Sequence, residues 1–462
     1  MSVLDLLKPD PHQEEIEDQN VIKSRYRYWR LRIFYSMYIG YAFYYFTRKS
    51  FTFAMPAMME NLGFTKADLG ILGSVLYITY GLSKFLSGIL SDRSNPRYFM
   101  GLGLILTGFF NIFFGFSSSI LLFALFWGMN GWFQGFGWPP SARLLTHWYS
   151  QSERGTWWGI WNTSHNVGGA LIPLIVAFCC QHMGWRWAMM FPGIMCILAG
   201  FFLINRLRDT PQSLGLPSIE KYRNDYPDEE SAKKMQEQER ELTTKEILFT
   251  YVLKNPFIWI LAISYFFVYV IRTAINDWGM LFLYEYKGYS LIKASTCVFW
   301  FEIGGFFGSL AAGWFSDKIF LGRRGPVNVL FSLFVIFALG AFWFTPGNFV
   351  LVDGILMFII GFFIFGPQML IGIAAAELSH KKAAGTATGF AGWFAYVGAA
   401  FTGFPLGKIA QDFGWQGFFV LLAACGGIAV LLLLPLWSLK ANPRYQASDK
   451  ISMETSGRAE EA

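Results

Sequence analysis

Long apolar stretches separated by short polar ones run through the chain. They fall at about 31–58, 69–91, 98–116, 119–149, 157–181 and 185–204. After a hydrophilic stretch at about 206–250 they resume at about 256–284, 290–315, 326–345, 349–378, 386–410 and 415–438. Each is near or above the ~20 residues an α-helix needs to cross a hydrocarbon core about 30 Å thick. The pattern predicts an all-α membrane protein with twelve transmembrane helices in two six-helix bundles. The expected organisation is a polar leader over 1–30, a bundle over 31–205, a linker over 206–255, a second bundle over 256–439 and a disordered tail over 440–462. A short helix is expected within the linker near Ser231–Arg240. No cleavable signal peptide is expected, because the first apolar run follows a polar leader and is too long for a signal h-region.

Composition agrees with this reading. Of 462 residues, 54% are hydrophobic and only 15% charged, a balance that soluble domains rarely show. The formal net charge of +6 says little about nucleic acid, because the basic residues sit in particular connections. Lys23, Arg25, Arg27 and Arg30 precede the first span. Arg93 and Arg97, Arg154, Arg206 and Arg208, Lys318 with Arg323 and Arg324, and Lys381 with Lys382 fall in alternate connections. The opposite connections, such as 116–119, 345–348 and 412–415, are short and poor in basic residues. The positive-inside rule then predicts both termini and the linker on the cytoplasmic side. The cysteines Cys179, Cys180, Cys196, Cys297 and Cys425 lie in apolar segments without metal-ligand spacing, so they are expected to be buried small residues.

One apolar run carries a cation where a membrane helix should carry none. Tyr38, Tyr41, Tyr45 and Arg48 recur at spacings that place three phenols and one guanidinium on a single helix face. A lipid-facing arginine at a helix centre costs about 2.5–3.5 kcal/mol on insertion scales, so this face must look into protein or water. The second half repeats the device: Tyr265, Tyr269 and Arg272 copy the spacing of Tyr41, Tyr45 and Arg48, with the arginines 224 positions apart. Gly88-x3-Asp92-Arg93 likewise returns as Gly313-x3-Asp317-Lys318, and Gly137-Trp-Pro-Pro140 returns loosely as Phe365-Gly-Pro367. These matches, in order, predict a duplicated six-helix unit in parallel orientation. Each arginine lies about sixteen residues, or roughly 24 Å, from its helix's cytoplasmic end. At that equal depth the pair is expected to clamp an anion, phosphate above all, because guanidinium forks match phosphate oxygens bidentately. The competing reading pairs them with intramembrane acids, for which Glu302, Glu377 and Asp277 are the candidates.

The Gly-x3-Asp-Arg/Lys loop resembles the signature of the major facilitator superfamily. Gly40-Tyr-x3-Tyr-x2-Arg-Lys49, Gly131-Trp-Phe-Gln-Gly135, Gly137-Trp-Pro-Pro140, Trp161-Asn-x2-His-Asn-x-Gly-Gly169, Arg208-Asp-Thr-Pro-Gln212 and Lys381-Lys-Ala-Ala-Gly-Thr386 resemble its organophosphate:phosphate antiporters. That family holds bacterial hexose-phosphate and glycerol-3-phosphate exchangers and a sugar-phosphate receptor. The resemblance covers about residues 25–440 and implies phosphate binding by Arg48 and Arg272. It also implies a cavity charge from Lys84, whose face carries Tyr77 and Tyr80, against the alternative that Lys84 snorkels to the surface. It adds a phosphate donor in His165, near Asn162, which can titrate close to neutral pH. Tyr41, Tyr45, Tyr80, Tyr269, Gln134, Trp138, Asn276, Gln368, Trp393 and Tyr396 complete the candidate substrate-binding set. Asp92, Arg93, Asp317 and Lys318 are expected to latch a cytoplasmic gate. Trp157 and Trp158 are read as lipid-interface anchors.

No nucleotide loop, metal cluster or Ser/His/Asp set appears in the sequence, so no enzyme and no cofactor is expected. The chain is expected to exchange an organophosphate, hexose 6-phosphate first, for inorganic phosphate by alternating access. Its expected partners are those two ligands and the lipid bilayer, with no nucleic acid. It is expected to act as a monomer, in a bacterial inner membrane. The alternatives are a glycerol-3-phosphate:phosphate antiporter and a receptor that senses external glucose 6-phosphate and signals to a membrane histidine kinase.

Overall fold

A computed structural model describes residues 7–92, 94–224, 249, 252–379 and 384–439. All regular structure among them is helical. The expected helix near Ser231–Arg240 and the residues after Leu439 lie outside the described residues. The chain divides into two compact units: Met1–Arg240 with Tyr289–Phe299, and Glu241–Gly288 with Trp300–Ala462.

The first unit holds α1 (Gln19–Leu62), α2 (Lys66–Asp92), α3 (Pro96–Phe116), α4 (Ile120–Gln134), α5 (Trp138–Trp148), α6 (Gln151–Asn162), α7 (Ser164–His182), α8 (Trp185–Arg206) and the short α9 (Ile219–Arg223). Helix α1 begins well before the apolar run. Asp18 caps it, its carboxylate accepting the amides of Asn20 and Val21. The straight-chain basic residues that follow are good helix formers. The apolar run at 119–149 breaks into α4 and α5 at Gly135 and Gly137, before Pro139 and Pro140. Carbonyls freed by that break are taken by α2: Ser87 Oγ donates to Gly135 O at 2.6 Å, and Ser83 Oγ donates to Trp132 O. Gly131 and Gly135 let α4 approach α2 closely, since a Cβ at either would strike Thr79 or Ser83.

Residues 206–224 are more than a spacer. The leader lies along them, with Gln13 N donating to Gln212 O (3.0 Å) and Ile16 N to Gly215 O (2.8 Å). Buried Tyr26 donates to Pro217 O at 2.5 Å and stacks on Tyr222 with centroids 4.0 Å apart. Gly215, at φ +71°, turns the strap where a Cβ would meet Glu14 O.

The second unit contains α10 (Pro256–Glu285), the part of α11 (Leu291–Trp314) from Trp300 onward, continued by a π-helical turn (Phe315–Ile319), α12 (Arg324–Phe344), α13 (Val350–Glu377), α14 (Ala384–Phe401), α15 (Phe404–Asp412) and α16 (Gly414–Leu433). Its packing repeats the first. Helix α10 packs on α14 and α16 as α1 packs on α7 and α8, and α12 on α13 and α16 as α3 on α4 and α8. Gly304 and Gly308 of α11 sit against the backbone carbonyls of Phe358 and Phe362 of α13, leaving no space for a side chain. Buried Lys287 closes one end, pairing with Asp353 at 2.5 Å and donating to Phe342 O at 2.8 Å, with both charged side chains at most 1% exposed.

Among the described residues eight segments are long and apolar enough to cross a membrane: Pro96–Phe116, Trp157–His182, Trp185–Arg206, Pro256–Glu285, Leu291–Ile319, Arg324–Phe344, Val350–Glu377 and Gly414–Leu436. Helix α1 falls outside this set: it is long enough, but it carries Arg48 and Lys49 among its tyrosines. Four of the five cysteines are buried and Cys180 is half-buried.

Candidate functional site

In the first unit the tyrosine–arginine face of α1 is turned inward. Arg48 is 6% exposed, and its Nε donates to Gln134 Oε1 at 3.0 Å. Its guanidinium lies over two rings, 4.4 Å from the centroid of Tyr45 and 4.6 Å from that of Tyr80. Each such contact is worth about 2 kcal/mol or more when desolvated, and a hydrogen bond to a charged group about 1.5–3 kcal/mol. These groups support the guanidinium, and none of them neutralises it. Tyr41 is buried beside Tyr45 (6.1 Å) and Trp161 (4.7 Å). Tyr38 bonds Thr163 Oγ1 at 2.9 Å.

Gln134, the last residue of α4, owes its aim to a buried polar chain. Its Nε2 donates to Thr47 Oγ1 (3.0 Å) and Asn130 Oδ1 (3.2 Å). Asn130 Nδ2 donates to Thr47 O (2.8 Å), and Asn111 Nδ2 donates to Met189 O (2.7 Å). Ser50 Oγ reaches Asn111 Oδ1 at 3.2 Å. Sequence reasoning named Gln134 and missed Asn111, Asn130, Thr47 and Ser50. The available signal was an asparagine inside each of two apolar spans. Lys49 was also unassigned; it is 4% exposed and donates to Tyr77 OH at 3.1 Å.

Lys84 is half-buried with Nζ 5.1 Å from the Trp138 ring, which brings two candidates together where α5 begins. His165 is buried 5.7 Å from the Tyr45 ring, and its Nδ1 contacts the backbone carbonyl of Asn162. The Asn162 side chain itself is exposed. Trp157 and Trp158 are half-buried and pack on other rings of the unit. Trp157 meets Phe34 (4.7 Å) and Tyr149 (4.9 Å), and Trp158 meets Trp138 (5.7 Å).

The second unit repeats the motif. The Arg272 guanidinium lies 5.8 Å from the ring of Tyr269, as Arg48 lies over Tyr45, and 4.9 Å from that of Phe365. Tyr269 lies 4.9 Å from Tyr265 and 6.1 Å from Tyr396. Tyr265 donates to Gln368 O at 2.7 Å, so Gln368 acts here through its backbone. Asn276, 2% exposed, donates to Glu302 Oε1 at 2.8 Å. Trp393 is 60% exposed and packs edge-on against Phe394.

Of the acids weighed as arginine partners, Glu377 is engaged elsewhere. Arg324 forks onto it at 3.1 and 3.0 Å and also reaches Asp317 at 2.5 Å. Asp317 is therefore paired with Arg324, which also holds Glu377, while Lys318 is exposed. In the first unit Arg93 and the Asp92 side chain lie outside the described residues. Ion pairs there run from Arg143 to Asp209 (2.9 Å), and from Arg30 (2.6 Å) and Arg223 (2.9 Å) to Glu153. Burial raises the Asp209 pKa despite Arg143. Burial also acts upward on Glu153, but Arg30, Arg223 and the Ser150 amide outweigh it, leaving its pKa lowered.

Residues 37–403 match the Major Facilitator Superfamily model. A "Probable hexose phosphate transport protein" of Chlamydia pneumoniae is 63% identical over 95% of this chain and 98% of its own length. The "Membrane sensor protein UhpC" of Escherichia coli K12 is 52% identical over 94% of this chain and 98% of its own. A "Glycerol-3-phosphate transporter" of Bacillus subtilis is 43% identical over 94% and 98%. Among solved structures, a bacterial homologue of the human lysosomal transporter Spinster, inward-facing and occupied, superposes with a TM-score of 0.70 at 15% identity, covering 88% of this chain and 96% of that one. The repeated packing of the two units, the arginine-bearing helices and these relatives agree: the chain belongs to the major facilitator superfamily, in its organophosphate:phosphate antiporter family.

Proposed function

We propose that this chain carries a hexose phosphate across a bacterial inner membrane in exchange for inorganic phosphate. In this reading twelve spans place both termini in the cytoplasm, four of them being α1, α2 and the broken pairs α4–α5 and α14–α15. The observation that carries the proposal is the setting of Arg48: a buried guanidinium on the tyrosine face of α1, oriented by Gln134, Tyr45 and Tyr80. Arg272, over Tyr269 and Phe365, supplies a second fork to the phosphoryl group. Lys84 and His165 add charge and a donor, and Trp138 and Tyr396 give ring faces suited to a sugar. The hexose ester is favoured over glycerol 3-phosphate by the higher identity to the chlamydial relative.

Exchange follows from the charge arithmetic. Arginines left without an anion in a closed, low-dielectric site would cost several kcal/mol, so the empty protein reorients slowly and the loaded one quickly. The test uses proteoliposomes loaded with labelled phosphate and containing only this protein. Efflux on adding external glucose 6-phosphate, and not on adding glycerol 3-phosphate or buffer, is the expected result. Net phosphate efflux into plain buffer at the exchange rate would defeat the exchanger reading. The 52% identity to a membrane sensor supports a second reading, a glucose 6-phosphate receptor that signals to a histidine kinase. Saturable binding of glucose 6-phosphate without efflux would select it.

A further inference from the structure

A second cationic cluster lies in the first unit where α8 ends, built partly from the Arg208-Asp-Thr-Pro-Gln212 run that the transport reading leaves unused. Arg32 of α1 donates from Nε to Arg206 O (3.3 Å) and from Nη2 to Asn205 O (3.2 Å). Arg97 of α3 donates from Nε to Ile204 O, and Arg208 donates from Nη1 to Leu207 O (2.6 Å) and Asn205 O (3.1 Å). The guanidiniums of Arg32 and Arg208 each lie 4.9 Å from the Trp29 ring, and that of Arg206 lies 5.7 Å from Phe202.

Part of this arrangement is helix capping. The last carbonyls of α8 have no partner within the helix, and arginines near a C-terminus satisfy them. Capping does not account for the amount of charge. A helix C-terminus carries about half a negative charge, and three guanidiniums donate to the carbonyls of this one. Among the described residues none of the three forms an ion pair with a carboxylate. Asp10 alone among the acids opposes the burial and the repulsion from Arg97 and Arg32 that lower the Arg208 pKa.

The cluster also heads an apolar face. Trp187, Phe191, Ile194, Leu198 and Phe201 of α8 alternate by four and three residues, so they share one side, and all are exposed, Leu198 by 64%. From Trp187 to Arg206 that side spans roughly 28 Å, the thickness of a hydrocarbon core. Exposed Leu31 and Tyr28 continue it on α1.

We propose that Arg32, Arg97 and Arg208 bind the phosphate headgroup of an anionic phospholipid, whose acyl chains lie along the outward face of α8. The indole of Trp29 packs at the level of the glycerol backbone, where amphipathic rings settle.

The test is native mass spectrometry of the full chain released from mixed micelles holding equal phosphatidylglycerol and phosphatidylcholine. The wild-type chain is expected to retain phosphatidylglycerol in preference. The double variant Arg97→Gln/Arg208→Gln should retain it about thirty-fold less, from about five-fold per basic residue at a membrane surface. Equal retention of the two lipids by the wild-type chain would overturn the proposal, and so would unchanged retention by a folded double variant. Displacement of phosphatidylglycerol by millimolar inorganic phosphate would also overturn it, by assigning the cluster to free phosphate. The wild-type comparisons decide the matter even if the variant fails to fold.

Discussion

At the scale of single residues the decisive feature is a buried guanidinium held by an amide and two rings. Arg48 keeps its fork because Gln134 receives one N–H and two rings cover its faces. Arg48→Lys preserves the charge but loses the planar fork, so exchange in proteoliposomes should fall by at least ten-fold while the protein still folds; near-normal exchange would remove bidentate binding from the account. The pair Lys287–Asp353 is a different case, because here two buried charges cancel. Asp353→Ala strands the ammonium and should cost about 3–5 kcal/mol, whereas the apolar double change Lys287→Met/Asp353→Leu should recover most of it. Thermal unfolding in detergent reads both. The arginines and most of their rings were legible in sequence, because a cation within an apolar run demands an explanation. The asparagines that aim Gln134 were not, because a single asparagine gives no spacing to read and its partners are a backbone carbonyl and residues on other helices.

At the scale of elements, glycine and ion pairs determine which helices can touch. Gly308 of α11 rests on the Phe362 carbonyl, and Gly308→Leu should force the two helices apart. The expected outcome is a loss of folded protein, measured as monodisperse yield on size-exclusion chromatography. At the end of the first unit, Glu153 and Asp209 predict opposite acid responses. The Glu153 pKa is lowered on folding, so its stabilisation is present above the unfolded value of about 4.3 and is lost as pH falls through the folded pKa. The Asp209 pKa is raised, so its charge costs stability at neutral pH and protonation relieves that cost. Relative to the wild-type chain, Glu153→Gln should flatten the fall of apparent melting temperature in acid, and Asp209→Asn should steepen it. Helix ends were the least legible part of the fold. The start of α1 depends on the Asp18 cap and on Tyr26 packing against Pro217 and Tyr222, contacts across nearly two hundred residues that local hydropathy does not record. The breaks at Gly135–Gly137 and Gly403–Pro405 were present as letters, but apolar neighbours on both sides carried the reading through them.

At the scale of the molecule, the duplication seen as matching letters reappears as matching packing, with an arginine over a tyrosine three residues earlier in each unit. That correspondence was legible because two copies of one pattern at a constant offset are hard to produce by accident. The ion pairs at the end of α11 were only half legible. Asp317 was identified, but its partner is Arg324, beyond the π-helical turn at Phe315–Ile319, which adds a residue to the turn that a regular helix would not contain.

The serines of α2 have a mechanical consequence. Ser83 and Ser87, one turn apart, hold carbonyls on either side of Gln134, and Lys84 lies between them over Trp138, the first residue of α5. Helix α2 thus grips the break in its neighbour like a clevis pin, and its own Tyr80 covers Arg48. Any displacement of α2 along its axis would carry Tyr80, Lys84 and the seat of Gln134 as one piece. The Arg48 guanidinium, its ring cover and its amide support would then travel together as a single rigid jaw.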